Sequence, residues 1–269
     1  MTGSSASSAS LVALSHDDRE SYDRALHAAR VAAYAPGEFV GQESLMQASD
    51  ILRLAWRAGV GPTTSVLDLC CGVGGPGLWI TRQLGCAYQG LDASPAAIAV
   101  ARRRARDVDA RFDVARIPPI PVGGYDVVTL LETLLAFPDK TTLFHEVSRV
   151  LPVGGRFAFT LEAGQPLTDT ERSLMPDPDT VQLAPLEQTA AQLRAAGLQP
   201  CWQLDCSRAH QSVAERLRAQ FVNRADSIAG TLGPAAVEAL VASHARWSEW
   251  LRTGRVRKIA CVAEKARDR

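Results

Sequence analysis

A short apolar strand signal, Ser65-Val66-Leu67-Asp68-Leu69-Cys70, runs directly into Cys71-Gly72-Val73-Gly74-Gly75-Pro76-Gly77 and then into a helical stretch through Gln83. Strand, glycine-rich turn and helix in that order open a βαβ unit. Repeated units of this kind build a mainly parallel sheet covered by helices on both faces. The spacing Gly72-x-Gly74-x-x-Gly77 lets a ligand approach the backbone at a helix N-terminus. Alone, that spacing is a weak signal, and it gains force from the pattern of the next hundred residues.

Downstream, strands and helices alternate. Ala87 to Leu91 reads as a second strand, and Ser94-Pro95 supplies an N-cap and a first-turn proline for a helix running to about Val108. Tyr125 to Leu131 is a strand, followed by a helix ending near Leu151, and Gly154-Gly155 leads into a strand from Arg156 to Leu161. Leu186 to Ala196 is a helix stopped by Gly197, Gln199 to Asp205 a strand, and Val256 to Ala263 a last strand expected to form an antiparallel hairpin. Helical periodicity also marks Asp17 to Ala33, Glu43 to Ala58, and Ser212 to Trp250 with a break at Gly233-Pro234. The first ten residues, small and polar, are expected to form a disordered tail.

The ligand is read from two carboxylates. Asp92 ends the second strand, where it can accept hydrogen bonds from both hydroxyls of a ribose. Asp68, just before the glycine turn, would repel a pyrophosphate and attract an ammonium or sulfonium, so its charge favours S-adenosylmethionine over NAD. A bland reading makes both residues turn and helix caps. Lys plus Arg and Asp plus Glu are 29 each, so no net positive field gathers nucleic acid or an anionic membrane. Arg102, Arg103, Arg104 and Arg106 are expected on a solvated helix face. Six cysteines without CxxC pairing, and no apolar run of roughly 20 residues, give the expectation of reduced thiols in a cytoplasmic protein.

The series VLDLCCGVGGPG, GLDAS, YDVV and RVLPVGG resembles the ordered motifs of class I S-adenosylmethionine-dependent methyltransferases of the small-molecule, natural-product type. The resemblance implies an α/β, Rossmann-like sheet of seven strands in the order 3-2-1-4-5-7-6, mostly parallel with the last strand antiparallel, carrying a helical N-terminal lid and a helical insertion. Residues 11–61 would be the lid, and 62–269 the core, with acceptor-site insertions near 163–185 and 212–253. Gly72 and Gly74 would lie under the methionyl group and Asp92 on the ribose, flanked by Ala93 and Ser94. Leu131 would also touch the cofactor. The family's Asp-Ala pair for adenine falls here on Val114-Ala115 with Asp113 one residue early, so Asp113 and Ala115 are the candidates. Tyr34, in Tyr34-Ala35-Pro36-Gly37-Glu38-Phe39-Val40-Gly41-Gln42, is similar to a lid tyrosine that closes over the cofactor.

Acceptor-side residues should follow the central strands, where α/β ligands bind. Those positions hold Glu132 and Glu162, either of which would serve as a base. His210, Tyr22 and His16 are further candidates from the roofing helices. No His, Cys and carboxylate cluster has metal-ligand spacing, so no metal is expected. The expected partner is a small-molecule acceptor, with neither nucleic acid nor membrane, in a monomer or homodimer. The favoured reaction is C-methylation of an indole in a tryptophan-derived natural product. N-methylation of a small amine or amino acid is the alternative, and a nucleotide-binding oxidoreductase or a non-catalytic module stands behind it.

Overall fold

The structure, a computed structural model, describes residues 16–175 and 178–267. The expected N-terminal tail, the first residues of the lid and the His16 side chain lie outside the described residues.

Helix α1 (His16–Ala33) precedes α2 (Ala48–Arg57), and the core then alternates β1 (Ser65–Leu69), α3 (Gly75–Leu84), β2 (Ala87–Asp92), α4 (Pro95–Arg104), β3 (Ala110–Val114) and β4 (Val127–Leu130). It continues with α5 (Lys140–Val150), β5 (Arg156–Ala163), α6 (Asp169–Ser173), α7 (Leu186–Ala195) and β6 (Leu198–Asp205). Three helices, α8 (Ser207–Asn223), α9 (Ala225–Leu232) and α10 (Pro234–Thr253), lead to β7 (Arg257–Lys265). The described strands form one sheet in the order β3-β2-β1-β4-β5-β7-β6, with β7 antiparallel to both neighbours and the other pairings parallel.

The central strands are apolar on both sides because both sides are covered. Leu67, Leu69, Val128, Leu130, Phe157 and Phe159 pack on the face under α5 and α7, with the Phe157 and Phe159 rings stacked at 4.5 Å. Val66, Val127, Ala158, Ala260 and Val262 face α2 and α3 on the other side, with Ile51, Leu54 and Leu78. A truncation such as Phe157→Ala in this layer costs about 3–5 kcal/mol. Gly77 is a packing glycine: a Cβ built there would lie 2.0 Å from the Tyr88 hydroxyl. That close approach lets Tyr88 cross from β2 under α3 and donate to Oδ2 of Asp68 at 2.5 Å.

A helical layer made by α1 and α8 to α10 roofs the carboxyl ends of the strands. Its own apolar core includes Leu26, Val213, Leu217, Phe221 and Ile228. The arginine cluster on α4 ties this roof down rather than facing only solvent. Arg103 pairs with Glu20 of α1, Arg104 approaches Asp23 of α1 at 3.5 Å, and Arg102 donates to the Phe112 carbonyl and to Asp113 of β3.

One expectation needs correction. The helix read over Glu43 to Ala58 begins only at Ala48, because the Gln42 side chain accepts from the Val40 amide and donates to the Glu38 and Met46 carbonyls, holding residues 34–47 as a non-helical strap. β3 escaped a direct reading because only Phe112 within it is buried, so no apolar run marks it. β7 is antiparallel to β6 and β5, as expected. It returns after three helices and inserts between β5 and β6.

Candidate active site

One cavity of about 600 Å³ lies over the carboxyl ends of β1, β2, β4 and β5 and beneath the helical roof. Its polar lobe is lined by Asp68, Cys70, Gly72, Asp92, Ala93, Ser94 and Ala97, with Glu43 of the strap above them. Asp92 is pinned by two main-chain amides, since Gly72 donates to Oδ2 at 2.9 Å and Ser94 to Oδ1 at 2.8 Å. Each oxygen retains a lone pair for the cavity. Ser94 itself caps α4 by accepting from Ala97 at 3.2 Å. Burial raises the Asp92 carboxyl above its ordinary value, and the two amides oppose that rise.

Asp68 is 3% exposed and accepts from Tyr88 and, at 2.7 Å, from Thr129. Burial pushes its carboxyl up to about 6, against those two hydrogen bonds. The strap is pressed onto the glycine turn so closely that a Cβ at Gly75 would lie 2.5 Å from the Gly41 carbonyl. Glu43 is held there by Arg19 and Arg30 of α1.

Between the polar lobe and the roof lies a buried charge cluster. Lys258 of β7 pairs with Oε1 of Glu132 at 2.7 Å and with Oε1 of Glu162. His210 of α8 places Nε2 3.2 Å from the same Glu132 oxygen and Nδ1 3.1 Å from the Cys206 carbonyl. The Leu45 amide of the strap points at the other Glu132 oxygen from 3.4 Å. Glu162 Oε2 is buried without a hydrogen-bond partner among the described residues. Burial would raise the Glu132 carboxyl, but Lys258 and then His210 overcome it and hold the group well below the ordinary carboxylate range. These two cations favour the anion and make Glu132 a weaker proton acceptor than an unpaired carboxylate. Glu132 and Cys70 are the non-glycine residues with left-handed backbone among the described residues, at φ 62° and 57°, and both border the cavity. Such conformations are costly for these residue types and gather at functional sites.

Tyr22 and Tyr34 both reach the cavity wall. Tyr34 donates to the Ser44 carbonyl, bracing the strap, and burial together with Glu132 holds its phenol protonated. Tyr22 lies under the Arg30 guanidinium, 5.7 Å from its ring centroid. Leu131 also borders the cavity, whereas Gly74, Asp113 and Ala115 do not. Gly74 faces Phe112 and Ala101, where a Cβ would approach to 3.0 and 3.1 Å. Asp113 turns outward to Arg102 and Gln89, because the odd residues of β3 face away from Phe112. Ala115 packs against the core beneath the sheet. Sequence reasoning missed Lys258, Arg19, Glu43 and Cys70. A lysine beside an apolar run reads as a strand end, and nothing in the spacing shows that β7 places it between two carboxylates.

The donor set fits S-adenosylmethionine. Asp92 offers pinned carboxylate oxygens for the ribose, Gly72 offers open backbone, and the Asp68 carboxylate offers negative charge for an ammonium and a sulfonium, while the charge of Glu43 is already matched by Arg19 and Arg30. Residues 66–155 match the family profile described as "Methyltransferase domain". Among curated relatives, the methyltransferase GfsG of Streptomyces halstedii is 33% identical over 38% of this chain and 39% of its own length. The 27-O-demethylrifamycin SV methyltransferase of Amycolatopsis mediterranei is 33% identical over 50% of this chain and 54% of its own. The chain thus spans between 33% and 54% of the length of the first curated relatives it matches. A solved Haemonchus contortus phosphoethanolamine N-methyltransferase 2 in complex with S-adenosyl-L-methionine shares the fold at TM-score 0.76 and 18% identity, over 94% of this chain and 60% of that one. Residues 66–155 thus match a methyltransferase domain within a sheet of order β3-β2-β1-β4-β5-β7-β6, the fold of that solved relative, and the pinned Asp92 and open Gly72 backbone suit the cofactor bound there.

Proposed function

We propose that this chain transfers a methyl group from S-adenosylmethionine to a small, predominantly apolar acceptor in natural-product biosynthesis. The observation that carries the reading is the continuity of the cavity. It runs from Gly72 and Asp92, past the Glu132–Lys258–His210–Glu162 cluster, to a lobe walled by Leu135, Phe137, Leu217, Phe221, Leu240 and Trp247. When bound, the cofactor supplies a methyl group on a sulfonium, open to displacement at carbon.

The chain's own residues hold and orient the reactants. Asp92 and the Gly72 backbone hold the ribose, and Asp68 faces the cationic end. Glu132, fixed by Lys258 and His210, is an anion whose orientation cannot drift, and it offsets positive charge that develops on an acceptor as the methyl arrives. The Leu45 contact couples that anion to the strap.

An indole-derived acceptor methylated at carbon is the reading we favour, because a flat, electron-rich ring suits the apolar wall around Phe221 and Trp247. A small amine finds less support at Glu132, which already holds Lys258 and His210, although Glu162 keeps one carboxylate oxygen without a partner among the described residues. Six free cysteines agree with a cytoplasmic, reducing setting. No helix among the described residues is long and apolar enough to cross a membrane.

Calorimetry with S-adenosylhomocysteine tests the donor half. Asp92→Ala removes charge-assisted contacts and should weaken binding roughly ten- to 150-fold. An unchanged affinity, or tight NAD binding by the parent chain, would replace this reading with the oxidoreductase alternative.

A further inference from the structure

Along α10, Leu240, His244, Trp247 and Leu251 recur at helical spacing, and all four border the apolar lobe. His244 interrupts a wall that is otherwise hydrocarbon on either side of it. Its Nδ1 lies 2.8 Å from the Leu240 carbonyl, which can only accept, so Nδ1 carries the ring proton. In a neutral ring this leaves Nε2 as a bare lone pair at the distal end, away from the helix backbone. That nitrogen has no hydrogen-bond partner among the described residues. The ring is fixed edge-on to Phe221 at 5.0 Å and 77°. Burial, reinforced by the Arg30 guanidinium, lowers the imidazole to about 4, so the neutral form persists across the physiological range.

His244 is half-buried, and its Nε2 is available to accept from a group that enters beside it. A donor has a place to come from, because the same side chain borders the cavity. We propose that Nε2 of His244 accepts a hydrogen bond from a neutral O–H or N–H group of the acceptor molecule, making His244 the residue that orients the acceptor against the α10 wall. This rests on the reading of the apolar lobe as the acceptor site. It narrows the acceptor class to predominantly apolar molecules bearing one such donor, of the phenol or indole N–H kind. An ammonium donor is disfavoured at this point because Arg30 adds positive potential there. The neighbouring Ser243 also borders the cavity and supplies a hydroxyl for a second polar group on the same molecule.

Matched probes test it: indole against 1-methylindole, and 2-naphthol against 2-methoxynaphthalene, in ligand-observed NMR titrations at saturating S-adenosylhomocysteine. The wild type should prefer the N–H or O–H member roughly three- to tenfold. His244→Phe should bring that ratio to about its steric baseline, while His244→Gln, which keeps an acceptor oxygen, should retain part of it. Imidazole ¹⁵N spectra should show the Nδ1–H tautomer in the free protein and a shift of Nε2 when indole or 2-naphthol binds. Equal binding of the paired probes by the wild type, an unchanged ratio in His244→Phe, or no binding of any of the four would overturn the assignment. Failure of S-adenosylhomocysteine to bind would instead sink the donor reading, which the calorimetry above reads separately.

Discussion

Replacing Asp68 with asparagine separates what the buried carboxylate does for binding from what its charge costs the fold. Burial raises the group from 3.8 to about 6, against hydrogen bonds from Tyr88 and Thr129. A pKa raised on folding means that the folded protein holds this proton more tightly than the unfolded chain does. The corresponding stability is present in full below about pH 4 and is lost as the pH rises through about 6, amounting to about 3 kcal/mol at the upper end. Asparagine keeps the shape. Its carbonyl can accept from Tyr88 and its amide can donate to the Thr129 hydroxyl, with no ionisation to penalise. Urea denaturation of both proteins from about pH 4 to about pH 8 should therefore give curves that diverge with rising pH, the variant becoming the more stable by up to about 3 kcal/mol. Calorimetry should show the opposite ranking for S-adenosylmethionine, because the variant has lost an anion from the polar lobe. The wild type alone should bind more tightly as the pH rises through about 6. Parallel denaturation curves together with equal affinities would refute the claim that Asp68 carries a costly charge for a cationic ligand.

Glu132→Gln leaves Lys258 paired with Glu162 alone and should cost about 1–3 kcal/mol in denaturation, with donor affinity by calorimetry nearly unchanged. Lost donor binding would make Glu132 a cofactor ligand instead. Gly77→Ala drives a methyl into the Tyr88 phenol and should destabilise by about 1–3 kcal/mol or more, whereas Gly61→Ala, with no atom within 4 Å of the added Cβ, should unfold close to the wild type. Equal melting of those two variants would remove the packing role assigned to Gly77.

The sheet was legible because its central strands are buried on both faces and leave mostly apolar runs, Val66 to Leu69 and Val127 to Leu130, each broken by a single polar residue, Asp68 or Thr129. The glycine turn and Asp92 were legible because backbone geometry demands particular residue types at short spacing. What stayed hidden depends on distant partners. The strap looked helical from Glu43 onward because periodicity carries no information on the Gln42 hydrogen bonds that hold it extended. Gly74 and Gly77 match the ligand-turn pattern, yet they are small to admit Phe112 and Tyr88. Glu132 and Glu162 could be named from their places after β4 and β5. Their electrostatics could not, since no spacing shows which residue of the last strand faces them, and Lys258 was not singled out. His244 was passed over for a related reason, as one polar residue in a long helix shows no sign of the cavity it borders.

The insertion of β7 between β5 and β6 also bears on the order in which this molecule assembles. A chain folding from its first residues completes β1 to β5 while the outer edge of β5 is still bare, and the β6 segment has no neighbour to pair with until β7 arrives. Glu132 and Glu162 spend that interval without their lysine, a like-charged pair at the open rim of an unfinished sheet. One late event, the docking of β7 after α8 to α10 have been traversed, closes both ladders and neutralises that rim. Such long-range closure is slow relative to local pairing. Until it happens the exposed β5 edge is the part of the molecule most open to pairing with another chain, and the same step that removes this hazard completes the charge cluster beside the cavity.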